Sequence, residues 1–145
     1  MKQEETKPNT VYYTTNFETL LEVVNKIDEI KNNDLYKPDF AKRLAIYVTN
    51  KSGLILVSFG EDKKLNGCMV ISRHIDNFGQ YAWIDFAWID KHCNYLRQAF
   101  YEEVDILARA FKIKRIQMRM SRGYKAMERL YGTREIARIL EKEVI

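Results

Sequence analysis

The chain has 145 residues, 46% apolar and 30% charged, which suits one domain with its own core and is too apolar for a disordered segment. Its formal net charge is +4, from 24 Lys or Arg and 20 Asp or Glu. No apolar run approaches the roughly 18 residues of a membrane helix, the polar start MKQEETKPNT lacks the apolar region of a signal peptide, and Cys68 and Cys93 match no metal spacing, so a cytoplasmic protein with reduced thiols and no metal is expected.

Residues 1–9 read as a flexible tail and 10–145 as a single domain. TVYYTT, residues 10–15, is β-branched and aromatic and predicts a short strand. Asn16 is placed to cap a helix whose apolar face is Phe17, Leu20, Leu21, Val24, Ile27 and Ile30. KNNDLYKPD interrupts it, and Pro38 opens a second helix running to about Asn50, with Phe40, Leu44, Tyr47 and Val48 on one side. LILVSFGE and CMVISRHI, joined by DKKLNG, form an antiparallel hairpin.

After the turn DNFGQ, YAWIDFAWID is apolar on both faces apart from Asp85 and Asp90, as in a central strand. It leads without any glycine into a helix whose face is Leu96, Phe100, Val104, Leu107 and Phe111. KRIQMRMS alternates as a strand, GYKAMERLY is a short helix, and GTREIARILEKEVI predicts a final strand. Between Arg109 and Arg138 there are ten Lys or Arg and two acids, Glu128 and Glu135, a local charge of about +8. Such a segment is either a solvated face or a surface for an anionic partner: a cofactor phosphate, a nucleic acid or an acidic protein.

The order βααβββαβαβ resembles the GNAT acetyltransferase fold. The resemblance implies an α/β (α+β) architecture, a mixed, mostly antiparallel central sheet flanked by helices. Local stretches carry it further. GLILVSFGEDKKLNGCMVISRH resembles the family's second and third strands, with Gly67 at their glycine position. DFAWID resembles the fourth strand, and LYGTRE the turn before the last one. The resemblance implies acetyl-CoA as cofactor, an amine acceptor (protein or small molecule) and often a homodimer, while the absence of a long apolar run sets the expectation of no membrane partner.

The family's pyrophosphate motif, R/Q-x-x-G-x-G/A, falls on Asn94, Tyr95, Leu96, Arg97, Gln98 and Ala99. Asn94 replaces Arg or Gln and Arg97 replaces the first Gly, while Ala99 is an allowed match. Amides at a helix start favour an anion, and Arg97 either donates to a phosphate or fills the space that one needs. The resemblance places pantetheine along the fourth strand, on backbone groups near Ala87 and Ile89. It gives Asp85 the position of the general base. Alternation sets Asp85 with Trp83, Ala87 and Ile89, opposite Phe86 and Trp88.

The family's general acid, a Tyr, aligns with Glu128, which leaves Tyr124 and Tyr131, one turn to either side, as candidates. Structural readings stand beside these. Asp85 can be a paired core carboxylate, Asp90 a turn cap, Tyr124 and Tyr131 packing residues, and His74 an ordinary strand residue. Two functional classes remain open: an acetyl-CoA-dependent N-acyltransferase, or a catalytically inactive GNAT-like binding protein that offers its basic C-terminal surface to a macromolecule. A nucleic-acid adaptor is a weaker third.

Overall fold

The structure, a computed structural model, describes residues 7–26, 37–120, 124–137 and 140–144. Its elements are β1 (Tyr12–Thr14), α1 (Phe17–Lys26), α2 (Lys37–Asn50), β2 (Gly53–Phe59), β3 (Leu65–Asp76), β4 (Gly79–Ile89), α3 (Leu96–Ala110), β5 (Ile116–Met118) and α4 (Tyr124–Tyr131). The strands form one sheet in the order β1-β2-β3-β4-β5. Neighbours are antiparallel except β4 and β5, which are parallel.

Local chemistry sets the ends of these elements. Asn16 caps α1 as expected, its Oδ1 accepting from the Thr19 N–H at 3.2 Å. The β2–β3 turn closes on itself through Gly60 N–H to Lys64 O and Lys63 N–H to Gly60 O, with Asp62 Oδ1 accepting from Lys64 N–H. Ile27 and Ile30, expected to prolong α1, lie outside the described residues. Asn9, expected in the loose tail, is instead tied to the sheet. Its N–H donates to Phe59 O at 2.7 Å and its side chain accepts from Asn66 Nδ2 at 2.8 Å.

Strand alternation splits the core in two. Ile55, Val57, Cys68 and Val70 face α1 and α2, where they meet Val23, Phe40 and Leu44. Leu56, Met69, Ile71, Ala82 and Ile84 face α3, where they meet Leu96, Phe100 and Val104. Gly67 lies on the α3 face of β3. A Cβ there would sit 2.6 Å from Phe100 Cε2 and 2.9 Å from Cζ. The missing side chain lets the fully buried Phe100 ring rest on the β3 backbone and fixes how closely α3 approaches the sheet.

The final strand expected from Gly132 onward is not formed by described residues 132–137 and 140–144. Ile136, Leu140 and Val144 are 61%, 92% and 90% exposed. They recur every four residues, a spacing that one face of a helix and one side of a strand share, so their spacing alone does not dictate either. β5 itself is only three residues long and offers a short edge to pair with.

Candidate functional site

β4 carries a bulge at Asp85. In its register with β3, Ile84 pairs with Ile71 and Phe86 with Val70, so Asp85 has no partner. The extra residue reverses the phase of the strand. Before it, Ala82 and Ile84 face α3; after it, Phe86 and Trp88 pack toward α1 and α2, while Ile89 packs on the α3 side. This corrects the uninterrupted alternation read from the sequence. Asp85 shares the α2 side with Phe86 and Trp88, not with Ile89.

β5 pairs only with Ala82–Ile84. From Asp85 to Ile89, β4 therefore has an edge with no neighbouring strand among the described residues. The Asp90 N–H donates to Asn66 O on β3. By alternation, the backbone groups of Ala87 and Ile89 point the other way, into the gap. The bulge and the gap thus adjoin: a carboxylate at the point where the strands part, and backbone donors and acceptors beyond it.

The Asp85 carboxylate is held on both oxygens. Tyr47 of α2 donates its hydroxyl to Oδ2 at 2.6 Å, and the Ser72 hydroxyl donates to Oδ1 at 2.8 Å. Ser72 Oγ also lies 2.7 Å from His74 Nε2, and the imidazole stacks on Tyr81 with centroids 5.3 Å apart. Ser72 is buried and His74 exposed. Burial pushes the Tyr47 phenol up to about 12, and its hydrogen bond to Asp85 adds to the shift. Gly53 leaves room for the Tyr47 ring, since a Cβ there would fall 2.6 Å from Tyr47 Cγ.

The expected phosphate loop is differently arranged. Asn94, Tyr95, Arg97 and Gln98 are exposed, Ala99 is half-buried and Leu96 is a core residue. The N–H groups of Leu96 and Arg97 close onto Cys93 O and Asn94 O at 2.9 and 3.1 Å, so two amides of the helix start are engaged within the turn. Tyr95 precedes α3 with helical φ and ψ and no side-chain cap. Gln98 donates to Glu102. The Arg97 guanidinium has no ion-pair or hydrogen-bond partner among the described residues. Asp90 caps the turn before α3, with Oδ1 accepting from His92 N–H at 2.9 Å.

The two tyrosine candidates part company. Tyr131 is tied to α3: its hydroxyl donates to Asp105 Oδ1 at 2.5 Å and its ring packs on Tyr101 with centroids 4.5 Å apart. Burial, then the bond to Asp105, pushes its phenol up. Tyr124 opens α4, and its side chain lies outside the described residues. Cys68 is fully buried and its thiol is pushed up to about 12, which suits packing and not nucleophilic attack. In the basic segment, Arg115 is engaged by both oxygens of Asp76 at 3.0 and 2.6 Å. Among the described residues no helix is long and apolar enough to cross a membrane, and no cluster of three His, Cys, Asp or Glu is placed to hold a metal ion.

Tyr47, Ser72 and His74 were missed as site residues by the sequence reading. The only local signal was the alternation of Ser72 and His74 along β3; Tyr47 lies 38 positions from Asp85.

No protein-family model matches the chain, and no curated protein matches it. Solved structures do. The aminoglycoside 6'-N-acetyltransferase AAC(6')-Ih from Acinetobacter baumannii superposes with a TM-score of 0.74 at 11% identity, covering 94% of this chain and 97% of that one. A predicted acetyltransferase from Clostridium acetobutylicum, solved with acetyl-CoA, gives 0.72 at 15% identity, covering 92% and 96%. A GNAT family acetyltransferase from Staphylococcus aureus gives 0.67 at 15% identity, covering 92% and 97%. The fold of this chain is that of the GNAT acetyltransferases, over nearly its whole length.

Proposed function

We propose that this chain is an N-acyltransferase that moves an acetyl group from acetyl-CoA to an amine, with Asp85 as the base that takes the amine proton. The observation that carries this reading is the bulge at Asp85 beside the unpaired edge of β4. A pantetheine arm is a linear chain of amides, and an open strand edge is a complementary surface for it. The backbone groups of Ala87 and Ile89 fit that role. At the start of α3, the Arg97 guanidinium and the amide of Gln98 fit the phosphates, in place of the glycine-framed amides that the motif lacks.

When bound, the thioester would supply an acyl carbon open to attack by an amine, with CoA leaving as the thiol after taking up one proton from solvent. The chain's own part is proton handling and orientation. Tyr47 and Ser72 fix the carboxylate of Asp85 so that its remaining lone pairs face a defined direction. Asp85 takes the proton that an ammonium must lose before it can attack. Tyr131 is given no part, because its proton is already donated to Asp105.

A second reading has its own observation. The engaged amides of Leu96 and Arg97 favour a binding protein that no longer holds the cofactor and presents the basic segment 109–138 to an anionic macromolecule. Calorimetric titration with acetyl-CoA separates the two. The enzyme reading expects micromolar binding that Arg97→Glu weakens at least about tenfold, as loss of a charge-assisted contact predicts. Across a panel of amines it expects transfer that Asp85→Asn slows by about 10²–10⁴ in kcat with acetyl-CoA affinity kept. No heat of binding at millimolar acetyl-CoA sinks it and leaves the binding-protein reading.

A further inference from the structure

A second feature lies where α2 and α3 end against the sheet. It is a cavity of about 430 Å³, within the roughly 300–1,000 Å³ of small-ligand pockets. It is lined by β1, the C-terminal ends of α2 and α3, and the adjoining parts of β2, β3 and β4. Its walls are apolar, with Leu54, Ile71, Ala82, Val104, Leu107 and Ile113 among them.

Two cations, Lys51 and Arg73, line it, and no Asp or Glu does. Both are exposed, which places them at the mouth. The Arg73 backbone N–H donates to Ser52 O at 2.9 Å, which brings the residue after Lys51 against the backbone of Arg73. Lys51 sits at the end of α2 with φ of 55°, where the chain turns into β2. The Arg73 guanidinium lies 5.6 Å over the ring of Phe111, itself part of the wall. Neither cation has an ion-pair or side-chain hydrogen-bond partner among the described residues.

An apolar cavity with two uncompensated cations at its mouth and no acid matches one ligand chemistry. We propose that it is a binding site for a small amphipathic carboxylate, with a hydrocarbon body in the cavity and its carboxylate between Lys51 and Arg73. Apolar walls gain from enclosing hydrocarbon. A carboxylate at the mouth gives two neighbouring like charges the counter-charge that the chain does not supply. Tyr47 and Ser72 also line the cavity, so an occupant touches the two side chains that hold Asp85.

The test is a titration of the full chain, carrying isotope-labelled methyl groups, with sodium decanoate kept below its micellar concentration. Saturable NMR shifts are expected at the methyls of Leu54, Ile71, Leu107 and Ile113. Arg73→Glu and Lys51→Glu alter exposed residues, and each is expected to weaken binding about tenfold. Decanol is expected to bind at least about tenfold more weakly than decanoate. Absence of saturable shifts, equal affinity for decanol and decanoate, or affinity unchanged in both variants would overturn the proposal. So would acetyl-CoA moving the same methyls, because the cavity would then belong to the cofactor.

Discussion

Gly67→Ala tests the contact that sets α3 on the sheet. The added Cβ would lie 2.6 Å from Phe100 Cε2 and 2.9 Å from Cζ, against the roughly 3.5–4.0 Å at which carbon atoms attract. An overlap of about 1 Å cannot be absorbed by a ring swinging into solvent, because Phe100 is fully buried. Either the ring leaves its rotamer or β3 and α3 move apart, at a cost of about 1–3 kcal/mol. Restricting the unfolded chain returns about 0.4–1 kcal/mol. The net loss spans about 0–2.6 kcal/mol and centres on about 1.3 kcal/mol, or about 4 °C in Tm for a chain of this size. Circular dichroism melts and urea midpoints read it directly. In a Phe100→Leu background the ring carbons are gone, and most of the penalty should vanish as a coupling between the two sites. An unchanged melt, or an equal loss in both backgrounds, would refute the packing argument.

Asn16→Ala should remove the cap on the Thr19 N–H and cost about 1 kcal/mol, seen as a lower urea midpoint at constant slope. Alkaline pH should destabilise the fold. Cys68 and Tyr47 are each pushed up to about 12, from 9.0 and 10.0, and Tyr131 is raised as well, so the native state keeps protons that the unfolded chain releases. That stability is complete below about pH 9 and is lost as pH rises toward about 12. Urea midpoints across this window should fall, and less steeply in Tyr47→Phe.

The elements of the fold were legible because each has a local cause. Asn16 caps, the apolar faces of α1 and α3 recur at helical spacing, and the turn around Asp62 and Lys63 closes through its own backbone. The gap beside β4 was legible only through resemblance. The bulge was not legible at all: WIDFAWID reads equally well as one continuous strand, and nothing in it marks Asp85 as the unpaired residue. The register with β3 decides that, and register is a long-range property. Tyr47 was hidden for the same reason. It read as one residue of an apolar helix face, and its hydroxyl meets Asp85 only once α2 is packed across the sheet. The last segment misled because its apolar residues resemble a strand in composition, while a strand also needs an edge to pair with, and β5 offers only three residues.

The chain of hydrogen bonds around Asp85 fixes the protonation pattern by counting. Tyr47 and Ser72 each have one hydroxyl proton, and both protons are donated to Asp85. Ser72 Oγ therefore has none left for His74, 2.7 Å away, and must accept. His74 then carries a proton on Nε2. In the neutral ring, Nδ1 is the bare nitrogen. Nitrogen-15 NMR of the ring should find the Nε2–H tautomer in the intact chain at mildly alkaline pH and lose that preference in Ser72→Ala. A dominant Nδ1–H tautomer would mean that Ser72 donates to the imidazole instead. Asp85 Oδ1 would then lack its donor, and the carboxylate would be held from one side only, by α2. The orientation argued for Asp85 as a base depends on its being held from both.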